Sequence, residues 1–95
     1  MIIKMPKATK AELIRVILDQ WDPAHKRETA GFMFYNYEAE EIAQRVRKNS
    51  TLTTIEKAVR EAMEFKLELE HVEETLDPEE TRQVARAIQA LVKNM

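Results

Sequence analysis

The sequence predicts an all-α protein: a compact four-helix array in which a long third helix and a fourth helix form a hairpin. Three observations carry that prediction. One glycine and three prolines in 95 residues leave too few turn residues for a many-stranded β protein. Apolar residues recur at spacings of three and four in four separate stretches. Each stretch is introduced by a residue type that caps helices.

In the opening arm MIIKMPKATK, Pro6 discourages a helix, so Ile2, Ile3 and Met5 are expected to form a brief extended segment. Thr9 caps the first helix, and Glu12, three residues on, completes a capping box. Leu13, Ile14, Ile17, Leu18 and Trp21 give it a wide apolar face, which Asp22-Pro23 ends in a turn. Residues 23–35 read as a loop, polar in AHKRETA and then aromatic. Asn36 is the expected cap of a second helix over about 37–48, with Ala39, Ile42, Ala43 and Val46 apolar. Glu41 and Arg45 pair on its surface, and Asn49 suits a left-handed helix end.

Thr53 and Glu56 read as a second capping box, opening the longest helix over about 54–75. Ile55, Ala58, Ala62, Phe65, Leu69, Val72 and Leu76 alternate spacings of three and four, the pattern of a coiled-coil-like seam. Asp77-Pro78-Glu79-Glu80 then supplies an N-cap aspartate and a proline at the first helical position. The fourth helix runs from there to about Val92, with Val84, Ile88 and Leu91 on one seam.

The length fits one domain spanning 1–95. Residues 1–50 carry 9 Lys/Arg and 7 Asp/Glu, and residues 51–95 carry 6 and 10. Neither half has the basic excess of a nucleic-acid footprint. The lack of cysteine excludes disulfides, thiolate zinc sites and thiol catalysis. With no long apolar run and no signal-peptide core, a soluble, cytoplasmic protein is expected.

Several patterns invite a chemical role, and each has a plainer explanation. Glu68-x-x-His71 has the spacing of half a carboxylate-bridged di-iron site, but the other histidine, His25, sits in a loop, so a solvated helix face is expected. Asp19, Asp22 and His25 straddle a helix end, where Asp22 already serves as turn starter. Glu38, Glu41, Glu61 and Glu64 have the ExxE pairing with which helical nucleotide pyrophosphatases hold magnesium, which makes a magnesium-dependent nucleotide hydrolase an alternative function. Arg45, Arg47 and Lys48 offer a phosphate contact, and with it weak nucleic-acid binding, although the helix dipole equally favours cations there. No catalytic residue, metal ligand or cofactor is assigned. Glu64 and Glu68 repel at i,i+4, as do Glu70 and Glu74, a conflict that a basic surface on the second helix or on a partner would relieve.

A first helix ending in Trp-Asp-Pro, a variable loop, YxxE opening a second helix and a longer third helix ending in an aromatic follow in order. Carried by VILDQWDP, YNYEAEEI and IEKAVREAMEF across about residues 10–70, this order resembles the YugE-like family of small helical bacterial proteins of unknown function. The resemblance implies a compact helical fold and no activity.

The segment GFMFYNY, residues 31–37, holds four of the six aromatic residues and the single glycine. Phe32, Phe34 and Tyr35 are expected to fold back as a lid on the bundle, meeting Trp21 and Phe65. Alternation in an extended segment would send Met33 and Tyr35 the other way, and a short strand there would pair with Ile2-Ile3 or with a second chain. Rings left outside make a docking patch, so Phe32, Met33, Phe34, Tyr35 and Tyr37 are the candidate interface. The function expected from all this is a non-enzymatic protein–protein interaction module, regulatory or accessory, that binds another protein or forms a homodimer.

Overall fold

The computed structural model describes residues 8–25, 31 and 33–95. The expectations for Ile2, Ile3, Met5 and Phe32 lie outside the described residues. Within them the protein is all-α, with four helices: α1 Lys10–Trp21, α2 Asn36–Arg45, α3 Leu52–Leu69 and α4 Pro78–Lys93.

α1 begins as its capping residues dictate. The backbone N–H of Glu12 donates to Thr9 Oγ1 at 3.1 Å, satisfying one of the first-turn donors. It ends at Asp22, whose left-handed backbone (φ 45°) returns its N–H to the Leu18 carbonyl. α2 starts one residue earlier than the sequence predicts. Tyr35, not Asn36, holds the cap position, and no side chain caps the helix. It also stops at Arg45 rather than 48, because Val46 turns extended (ψ 130°) and is fully buried. Asn49 is not left-handed; Ser50 closes the turn instead, its Oγ accepting from the Arg47 N–H at 2.7 Å.

α3 departs further. Its cap is Thr51, whose Oγ1 accepts from the Thr54 N–H at 3.2 Å, so Thr53 lies inside the helix and faces solvent. The cap moves upstream because Leu52, as first helical residue, can then rest against the core. The helix ends at Leu69, six residues before the expected 75, and His71 adopts φ 57° just beyond it. α4 follows its signals: Asp77 Oδ1 accepts from the Glu79 N–H at 2.9 Å, with Pro78 in the first turn.

Successive helices pack on one another and α4 closes back on α1, making a ring of four around one connected core. Cross-links fix the directions. Lys10 Nζ donates to the Val46 carbonyl, joining the start of α1 to the end of α2. Arg45 pairs with Glu61 and Glu38 with Lys66, so α2 runs antiparallel to α3. Trp21 Nε1 donates to Glu80 Oε1 at 3.2 Å, linking the end of α1 to the start of α4.

The seam of α3 needs correction. Ile55, Ala58 and Ala62 are buried as the heptad requires, but Phe65 and Leu69 are 53% and 56% exposed. Val59, Met63 and Leu67 are buried in their place. A straight helix drifts about 20° per heptad from a 3.5-residue repeat, so the inward face slides off a strict heptad along its length. Val72 and Leu76, beyond the helix end, still pack on the core from the irregular segment before α4.

Candidate functional site at the junction of the second and third helices

The aromatic segment is a turn, not a strand. Gly31 has φ +83°, a conformation L side chains avoid, and its carbonyl accepts from the Phe34 N–H at 3.3 Å. The expected alternation therefore fails: Met33 is exposed while Tyr35 is buried. Tyr35 is a core residue with no surface for a partner. Its hydroxyl donates to Asp22 Oδ1 at 2.6 Å and accepts from the buried Ala24 N–H at 3.0 Å. Burial, then the bond to Asp22, pushes the phenol well above its ordinary pKa. The loop is thus anchored to the α1 turn by one ring.

Phe34 is half-buried against the core and meets Tyr35 edge-on, with centroids 4.8 Å apart. Lys66 Nζ lies 4.1 Å from its ring centre. The same ammonium sits 3.7 Å from Glu38 Oε1 and 3.7 Å from Glu70 Oε1. Glu38 is buried, and its Oε1 has no hydrogen-bond partner. Burial raises its pKa above the usual carboxylate value, with Lys66 opposing the rise.

The structure adds two residues to this junction that the sequence placed elsewhere. Phe65 precedes Lys66 and Leu69 lies one turn beyond it, while Met33 and Tyr37 flank Phe34 and Glu38 in the chain. These four are more than half exposed. Among the described residues only Val16 and Met95 are large exposed hydrophobics besides them. The lid expected to reach Phe65 stops at Phe34 and Tyr35.

The other candidates are dispersed. Among the described residues no three acidic or histidine side chains converge as a metal site. Glu38 is paired with Lys66 at 3.7 Å and Glu61 with Arg45 at 2.9 Å, so two of the four ExxE carboxylates are engaged by cations of the fold. Asp22 takes the Tyr35 hydroxyl, Asp19 takes Arg15 at 2.9 Å, and His25 meets Glu74 at 3.0 Å. His71 is exposed at the end of α3, one turn from the exposed Glu68. In the basic cluster, Arg47 donates to the Gln44 carbonyl, capping α2. No helix among the described residues is long and apolar enough to cross a membrane. No family model matches the chain, and no curated protein or solved structure matches it.

Proposed function

We propose that this protein is a non-enzymatic interaction module that docks another protein on the patch formed by Met33, Tyr37, Phe65 and Leu69. One observation carries the reading: four of the six large exposed hydrophobics among the described residues neighbour, in the chain or one helical turn on, the Phe34, Glu38 and Lys66 that meet between α2 and α3. An apolar cluster rimmed by charge is the composition of an interface centre. Between α2 and α3 the Lys66 ammonium lies against the Phe34 ring and near the buried Glu38 carboxylate. A cytoplasmic setting and kinship with the YugE-like family belong to the same proposal. The kinship rests on VILDQWDP, YNYEAEEI and IEKAVREAMEF and adds no activity.

Site-specific photo-crosslinking tests this in the cells that make the protein. A benzophenone amino acid replaces Tyr37, Phe65 or, as control, Val16 on α1. A discrete adduct from positions 37 and 65 but not from 16, reproduced with purified partner, is expected. Adducts equal at all three positions, or at none, would remove the docking patch.

A further inference from the structure

The carboxylates of α3 do not share cations equally. Glu56 has Arg82 at 3.4 Å, and Glu61 has Arg45 at 2.9 Å and Lys57 at 3.9 Å. Glu70 and Glu74 lie beyond the end of the helix, so they do not form an i,i+4 pair on it. Glu64 and Glu68, one turn apart, have no cation within 4 Å among the described residues. They stand beside exposed Phe65 and Leu69 on the helix surface. On their other side is an open groove of about 400 Å³, with Leu67, Val72 and Leu76 in its lining and Glu64, Glu68 and Glu74 around it.

Resting on the interaction reading above, we propose that the partner is another protein's basic amphipathic segment, which lays apolar side chains on Phe65 and Leu69 and in the Leu67/Val72/Leu76 groove and sets lysines or arginines against Glu64 and Glu68. Charge complementarity selects this occupant. A basic segment relieves the i,i+4 repulsion that no cation of the described residues offsets within 4 Å, and apolar side chains at helical spacing fit an apolar strip edged by carboxylates. A second copy of the chain is the weaker fit. Two-fold pairing through this patch would bring Glu64 and Glu68 against their own equivalents, and like charges across an interface are costly.

The test is selection of a random-peptide display library on the full chain, repeated on the surface variants E64Q/E68Q and F65S/L69S, with sedimentation of each protein alone. Circular dichroism checks that the variants remain folded. The expected winners combine Lys or Arg with apolar residues at helical spacing. They bind E64Q/E68Q about three- to tenfold more weakly, as two rim ion pairs would give, and lose that difference in high salt. They fail to bind F65S/L69S. Winners that are uncharged or acidic, or that bind E64Q/E68Q equally, overturn the basic class while leaving the patch as a docking site. No winners, with a dimer that F65S/L69S dissociates, assigns the patch to a second copy and ends the proposal. No winners and a monomer throughout end both the proposal and the interaction reading.

Discussion

Tyr35 does at the scale of one residue what a longer loop would otherwise need several contacts to do. Its hydroxyl bridges Asp22 and the Ala24 N–H, both in the turn after α1, while its ring fills the core at the start of α2. Tyr35→Phe keeps the ring and removes the bridge, leaving a buried N–H without its partner. The expected cost is about 1–3 kcal/mol, read as a lower urea midpoint at unchanged slope. The phenol also sets a pH signature. Its folded pKa lies above the ordinary 10.0, so the folded state holds this proton more tightly than the unfolded chain. Its stabilisation is complete below pH 10 and declines as the pH climbs from there towards the folded value, and the Phe variant should lack that alkaline decline. Glu38 has a raised pKa too, but its window lies in acid. Its folded value exceeds the ordinary 4.5, so its contribution is fully present below that pH and is lost as pH rises through the folded value. Lys66, Glu41 and Glu70 are the charges around it. Subtracting the stability of Glu38→Gln from that of wild type across pH 4 to 7 should give a difference that falls as the pH rises. A flat or rising difference would mean that Lys66 outweighs burial.

Elements were legible in the sequence wherever a local signal had no rival. Thr9 with Glu12, and Asp77 with Pro78, fixed the starts of α1 and α4, the first because no other capping residue lies nearby and the second because Pro78 suits the first helical position directly after Asp77. Ser50-Thr51-Leu52-Thr53-Thr54 offers several caps in a row, and there the choice is tertiary: Thr51 wins because Leu52 then reaches the core. Thr51→Ala should therefore cost about 0.5–2 kcal/mol, whereas Thr53→Ala should change stability by no more than about 0.5 kcal/mol. Equal effects in thermal melts would return the cap to Thr53. The late part of α3 was illegible for a similar reason. Phe65 and Leu69 continue a good heptad, and nothing in their own residue types says that the inward face of a straight helix has by then turned to Met63 and Leu67. The candidate site divides the same way. GFMFYNY announced itself by composition, but the turn at Gly31 and the second half of the patch needed the structure to become visible.

The whole molecule is a closed ring, so the buried face of α4 supports α3 and α1 together. Ile88 is fully buried at the centre of that face, with Val84, Ala85 and Val92 around it. Truncation to alanine should cost about 2–5 kcal/mol in lost transfer energy and cavity. A domain of this size has total stability of about 5–15 kcal/mol, so Ile88→Ala should depress the melting temperature strongly and across the entire fold. Hydrogen exchange is the readout that carries the ring argument. If α4 closes the ring, protection in α1 and α3 should fall together with that in α4, although α1 is far away in the chain. Loss confined to α4 would show the helix to be an appendage. Phe65→Ser with Leu69→Ser makes the converse case: both side chains are largely outside, so the pair should cost no more than about 1 kcal/mol and leave exchange in the core unchanged. The contrast between a buried Ile88 and an exposed Phe65 and Leu69 distinguishes apolar residues held for the fold from apolar residues left outside it. A large stability loss from the double serine variant would move Phe65 and Leu69 into the core and leave the junction with only Met33 and Tyr37 to offer.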